Sequence, residues 1–547
     1  MRHLALAFAL LSTTCLPGQT APVQDRPQVL LDTVGPDGWR TRLGPTNLGS
    51  MLESELGQPL WRTRIQPLMG MWQQLIGGDK EFEASRERLL GYSGRIRVGL
   101  WYDDDAGRQE PAACIAAVLE PDRRSDLKAI AGDLRQTLYE AIPGEWAKVN
   151  GEDFAGTVRR SGELTVIAPR LEDGSLLIAA SRNDDLARAL ARARALAATS
   201  TGPLKPNSPA GRLEIDFQAL GQTVMAAASK SSRAAIAACG VPSLGTATLS
   251  ISTAGPRVQF EYKQEFTSDD RGLFAALMPA TPTTPTLFAT RPESGSWVAG
   301  HFDLLKFHDV MIDITVADGD QTKKEIRASI KDDLGIHLDT DLFAHMTDEA
   351  MLWLPSDKEP LSLFSQHMVY IARLRDEDAF RKSLLTMIPN LDPFLRHNGE
   401  EEFEGVTIHS SSYSSLAAGH GVFVFAYGEH AEQHVRTTLD RCKNLPKKPG
   451  EPILPTGFDR LQRHLPPGFH GASELDALLA LSIPDLVLGI LAFVPAVPVL
   501  NDLPFDVVFL PTGERAKLTR LLKDHQLETA RAATGYADRT WRWRTYW

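Results

Sequence analysis

Apolar and polar residues alternate over residues 95–102 (RIRVGLWY), and short apolar runs stand at 113–119 (ACIAAVL), 164–168 (LTVIA), 176–181 (LLIAAS), 368–374 (MVYIARL) and 421–427 (GVFVFAY). Such patterns predict strands. The first two flank Asp103-Asp104-Asp105-Ala106-Gly107-Arg108, a run of hairpin-turn residues. Helical spacing follows over 125–141 and 376–387, and again from Asp184 and Glu429. Ser125, Asp184 and Asp376 stand where a side-chain oxygen can cap free helix N–H groups. Residues 47–76 predict one or two more helices, broken or kinked at Gly57 and Pro59.

The order of these pieces recurs about 250 residues on. Strand 113–119, a helix, Gly151-Glu-Asp-Phe154-Ala-Gly-Thr-Val and strand 176–181 have counterparts in strand 368–374, a helix, Glu401-Glu-Phe403-Glu-Gly-Val-Thr-Ile and strand 421–427. Each unit reads strand, helix, three strands, helix. A shorter piece, a strand running to an Asp before a helix, occurs at Asp216, Asp303 and Asp476. Those aspartates are polar enough for catalysis, but their shared position predicts caps.

Consecutive hairpins with intervening helices predict the α+β class: two tandem duplicated modules of mainly antiparallel sheet with helices packed on one face. Pro- and Ser-rich stretches at 201–210, 279–285 and 445–455 predict exposed linkers. The expected organisation is a signal peptide (1–21), a first module with N-terminal helices (22–200) and its extension (211–278). A second module (286–444) and its C-terminal extension (456–547) follow.

Met1-Arg2-His3, the apolar run 4–11 and a polar exit have the form of a secretory signal, cut near Thr20 or Ala21. The run is too short for a bilayer, which needs roughly 20 apolar residues. Cys15 raises a lipid anchor. Against it, Thr14 stands where a smaller residue is wanted, and Leu11 is displaced by one position. A net charge of -11 argues against nucleic acid, whose phosphates reward clustered Lys and Arg. Cys114, Cys239 and Cys442 are too widely spaced for a disulfide framework; one long-range bridge or buried free thiols are the alternatives.

Ten of the 14 histidines lie between His301 and His434, which concentrates any imidazole chemistry in the second module. His409 and His420 fall near facing ends of a predicted hairpin. His430 and His434 have the i, i+4 spacing that chelates metal on a helix, without the HExxH or HxxEH order and without a third ligand in view. Asp103-Asp104-Asp105 and Asp318-Gly319-Asp320 lack the calcium-loop alternation and read as turns. Ser125-x-x-Lys128 has no SDN or KTG companion, so Ser125 reads as a cap. Leu-Pro-Thr-Gly at 454–457 and 510–513 fits no sortase signal, and no GxSxG, P-loop or GxGxxG occurs. The apolar run 486–500 carries two prolines and is short of a membrane span; it reads as a buried helix or a lipid-contacting surface. Residues 540–547 (TWRWRTYW) read as a closing strand with Arg stacked on Trp.

The strand-Asp-helix order, Asp332-Asp-Leu-Gly-Ile336, the run from Asp341 through Met346 to Leu354, and the Phe403-Glu-Gly-Val406 unit together resemble large exported bacterial proteins of uncharacterised function, built from tandem strand-helix modules. That resemblance implies architecture and location and carries over no active residues. No residue is assigned as catalytic, cofactor-binding or metal-ligating, and no cofactor is called for. The expected function is a non-enzymatic exported envelope protein that binds or scaffolds a protein or an apolar ligand, with no nucleic acid and no transmembrane helix. The alternatives are a metal-dependent hydrolase centred on the His-bearing second module and a carrier of a lipid or other apolar ligand.

Overall fold

A computed structural model describes residues 26–54, 88–103, 112–122, 125–141, 146–148, 157–161, 164–181, 186–199, 208–227, 229–269, 271–278, 283–318, 321–355, 367–390, 399–445, 458, 465–476, 520–527 and 529–546. Phe154, Asp184, the signal-like segment, the three-Asp turn past Asp103, the apolar run 486–500 and the two Leu-Pro-Thr-Gly stretches lie outside the described residues.

The first half opens with β1 (Val29–Val34), α1 (Pro36–Leu43) and α2 (Asn47–Glu53), then the pair β2 (Arg95–Asp103) and β3 (Ala112–Leu119). After α3 (Leu127–Ala141) come β4 (Trp146–Lys148), β5 (Thr157–Ser161), β6 (Leu164–Glu172), β7 (Ser175–Ser181) and α4 (Leu186–Ala198). The half closes with β8 (Gly211–Asp216), α5 (Phe217–Ala227), α6 (Lys230–Ala238), β9 (Leu244–Ala254) and β10 (Arg257–Phe266).

The second half has β11 (Ser296–His301), α7 (Leu304–Asp318), α8 (Lys323–Leu334), β12 (Met346–Leu354) and β13 (Met368–Leu374). Next are α9 (Glu377–Met387), β14 (Gly399–Phe403), β15 (Val406–Ser410), β16 (Ser414–Gly419), β17 (Val422–Tyr427) and α10 (Ala431–Cys442). Three strands end it: β18 (Phe469–Asp476), β19 (Thr529–Ala537) and β20 (Thr540–Tyr546).

All pairings are antiparallel and join the 20 described strands into one sheet. Across the first half the order is β4-β5-β6-β7-β3-β2-β1-β8-β9-β10. Across the second it is β14-β15-β16-β17-β13-β12-β11-β18-β19-β20, the same sequence of partners ten strands later. The two sets meet where β10 pairs with β20. The α+β class expected from the sequence is the class of the structure.

Helices cover both faces of each half, where the sequence suggested one. On β3 and β7, Cys114, Ala116, Val118, Leu177 and Ala179 pack with Ala189, Leu190, Ala193 and Leu196 of α4. The alternate residues Leu119 and Leu176 pack with Leu127, Ile130, Ala131 and Leu134 of α3. In the second half Ile371, Val424 and Ala417 meet Val435 and Leu439 of α10, while Ala372, Leu416 and Ala418 meet Phe380 and Leu384 of α9. The cause is legible afterwards: the central strands are continuous apolar runs, and a strand apolar on both sides needs cover on both.

One local expectation shifts, and two further details emerge. Ser125 does not cap α3. Asp126 Oδ1 accepts the N–H groups of Lys128 and Ala129 at 3.0 Å each, and the Ser125 hydroxyl donates to Asp122 Oδ2 at 2.7 Å. The Phe403 unit is itself a hairpin, because Glu404 and Gly405 turn with φ 53 and 79 between β14 and β15. β16 begins in a serine-rich stretch. Its serines are buried yet satisfied by one another, Ser410 Oγ to Ser415 Oγ at 3.0 Å and Ser411 Oγ to Ser414 Oγ at 2.7 Å. The caps at Asp216, Asp303 and Asp376 hold, accepting from Ala219, Lys306 and Ala379 N–H at 2.9, 3.0 and 3.1 Å.

Cover on both faces has a stability signature. Phe380→Ala and Leu439→Ala empty opposite sides of the same sheet, and each is expected to cost about 2–5 kcal/mol. Urea unfolding of the two variants checks this; a near-neutral result for either leaves that face without a core.

Candidate functional site

β11 ends at His301, directly opposite Glu349 of β12, with His470 on the adjoining β18. All three side chains are buried. His301 Nδ1 lies 3.0 Å from Asp348 Oδ2, and its Nε2 lies 2.7 Å from the Thr283 carbonyl oxygen. Nε2 faces the Thr283 carbonyl and Nδ1 the Asp348 carboxylate, two acceptors that favour the doubly protonated ring. Glu349 Oε2 accepts from the N–H and hydroxyl of Thr286 at 2.8 and 2.6 Å. The pair thus grips both ends of segment 283–286, which leads into the second half. The sequence reads 279–285 as an exposed linker. In its described part Pro285 is buried, because β11 and β12 supply partners for the polar groups on either side.

Burial pulls the His301 pKa down, but the hydrogen bond and charge of Asp348, the Thr283 carbonyl and the Glu349 charge outweigh it, and the net shift is upward. His301 in turn holds Asp348 below the usual carboxylate range, against burial. His470, its ring 6.1 Å from His301, moves the other way: burial lowers it, and His301 adds to that against the Gly468 carbonyl, 3.0 Å from its Nδ1. One imidazolium beside one neutral imidazole is the arrangement these environments favour.

The histidines singled out by sequence do not converge as a set. His409 of β15 sits opposite Glu400 of β14, Nδ1 to Oε1 3.3 Å. His420 occupies a two-residue turn with Gly421, at φ 55 and 76; Asp173 and Gly174 form the same turn in the first half, at φ 47 and 81. Its place is explained by that turn geometry. His430 precedes α10 in the left-handed region, φ 71, instead of lying on the helix face. It and His434 flank His367, at ring separations of 6.1 and 5.7 Å, with Trp353 5.3 Å from His434. His367 is a neighbour that linear spacing does not reveal. Among the described residues, no three His, Cys, Asp or Glu groups come together to hold a metal ion. Cys239 and Cys442 are free thiols, and burial pushes the Cys442 thiol up to about 12.

The faces of the sheet differ where the halves meet. On one face Leu31, Leu213, Leu249, Tyr262 and Trp543 stand opposite one another in register, from β1 across the seam to β20. Farther along that face Val298 and Leu352 form a cross-strand pair, 48% and 37% exposed. On the other face lie ion pairs: Arg212–Glu214, Arg544–Glu261 and Arg531–Glu474, at 2.8, 2.9 and 2.9 Å.

No protein-family model matches the chain, and no curated protein matches it. Among solved structures, crystal form III of TP0453 is 11% identical over 44% of this chain and 76% of that one, with a TM-score of 0.21. Crystal form I is 10% identical over 45% and 81%, with a TM-score of 0.20. At these scores the likeness carries no argument. Among the described residues no helix is long and apolar enough to cross a membrane.

The two buried histidines predict opposite pH slopes. His301 is raised on folding, so its stabilisation is full below the unfolded value near pH 6.5 and is lost as pH rises through the folded value. His470 is lowered, so it costs stability as pH falls through about 6.5, where the unfolded chain takes up the proton first. Melting curves from pH 5.5 to 8.5 are expected to show the wild-type advantage over H301Q shrinking with pH, and that over H470Q growing. Parallel slopes in the two variants would contradict the assignment.

Proposed function

We propose that this chain is a non-enzymatic binding protein of the cell envelope, and that its ligand is apolar and of acyl-chain character. The observation that carries the reading is the apolar row along one sheet face, with the half-exposed Val298–Leu352 pair on that same face. Burying a Val or Leu side chain fully is worth about 1.5–3 kcal/mol. The exposed part of that pair is contact energy still open to a ligand. An extended hydrocarbon chain suits a row of side chains at strand spacing, because it needs no hydrogen-bond partner where the row offers none. The ion-paired opposite face supplies solubility. The signal-like residues 1–21 support a place outside the cytoplasm.

Binding of a fluorescent hexadecanoyl probe to the mature chain tests this. Val298→Glu and Leu352→Lys are expected to weaken it tenfold or more with little change in melting temperature, since both side chains are already partly in water. Lys263→Ala, on the opposite face, is expected to leave it unchanged. Absence of probe binding to the wild type sinks the reading.

A further inference from the structure

The seam between β10 and β20 obeys a symmetry that neither strand shows by itself. Each follows a two-residue turn, residues 255–256 after Ala254 and 538–539 after Ala537. Counted from that turn, Glu261 and Arg544 are each the fifth residue of their strand, and they stand directly opposite each other. The fourth residue of one strand faces the sixth of the other on both sides: Phe260 opposite Thr545, and Tyr262 opposite Trp543. The third faces the seventh in the same way, Gln259 opposite Tyr546 and Lys263 opposite Arg542.

Any antiparallel pair has local two-fold axes. Here one of them also relates the corresponding strands of two halves that share a pairing order. This is the register of an isologous interface, in which like patches meet across a two-fold axis. The halves depart from likeness on the axis itself, where a true homodimer would place a residue against its own copy. The first half contributes a carboxylate and the second a guanidinium. Arg544 Nε donates to Glu261 Oε1 at 3.0 Å, its Nη2 lies 2.9 Å from the same oxygen, and Lys263, on Glu261's own strand, reaches it at 3.9 Å.

We infer that the seam is an internal dimer interface, each half's last strand being the binding surface for the last strand of a like half. Glu261 and Arg544 make the unlike pairing win. Two first halves would set Glu261 against Glu261, and two second halves Arg544 against Arg544; like charges directly opposite on a sheet are destabilising. Both axis residues are largely withdrawn from water, 17% and 23% exposed, so screening relieves that clash only in part. Other contacts also join the halves: α6 packs on α7, and Asp269 with Arg539 at 3.0 Å and Arg271 over Tyr536 at 4.3 Å lie beyond one end of the seam; none of these involves Glu261 or Arg544. The inference concerns how the halves recognise each other and is independent of the proposed ligand.

A protease site inserted in residues 279–282 of the full-length protein allows the folded chain to be cut between the halves. The cut protein is unfolded in urea, refolded and weighed by native mass spectrometry. Wild type is expected to return only the complex of one first half with one second half. Glu261→Gln with Arg544→Gln is expected to add complexes of two first halves and of two second halves. Exchanging the charges, E261R with R544E, is expected to restore the unlike complex alone. A neutral variant that returns only the unlike complex overturns the inference, and like complexes in the wild type or the exchanged variant do the same. A Phe260→Cys, Thr545→Cys disulfide, formed before cutting, is expected to hold the halves together on a non-reducing gel; its failure to form removes the seam itself.

Discussion

Everything in this molecule hangs on an unbroken antiparallel hydrogen-bond ladder. Each described strand except β4 and β14 lends both edges to neighbours, and the place where the second half could have stood free is filled by β20 on β10. An unpaired edge there would expose a row of N–H and C=O groups to any passing strand. Joining the halves leaves β4 and β14 as the two ends of the described sheet. β14 reads Gly-Glu-Glu-Glu-Phe, charged as an end strand needs to be.

That ladder decides where chemistry can sit. Strand alternation sends the side chains of each half to two helix-covered cores, and near the seam it separates an apolar face from an ion-paired one. Two of the buried polar groups, His301 and Glu349, sit at a junction, where segment 283–286 enters the second half and its polar groups need partners. His301 and Glu349 meet that need, and the two acceptors around the His301 ring shift its pKa upward against burial. The cluster is explained as anchorage before any catalysis is invoked.

The histidine spacing shows where sequence reasoning loses its grip. His430 and His434 are close in the chain and stay close in the fold, but the ring between them, His367, stands just before β13, more than sixty residues earlier. His409 and His420 share a hairpin region and part company, one opposite Glu400 and the other in a turn. Most telling is His470. Nothing in its Phe-His-Gly-Ala context marks it, and it is notable only because β18 lies against β11.

Local order was legible in the residues themselves: the strand-helix alternation, the capping aspartates at 216, 303 and 376, and the α+β class. These depend on backbone preference and on polar groups a few residues away, both of which are written in consecutive letters. Tertiary structure alone decided that helices clothe both faces, that Ser410 and Ser411 pair with Ser415 and Ser414, and that Glu261 meets Arg544. Those outcomes rest on which distant strands lie side by side, and pairing across hundreds of residues is set by the packing of the whole.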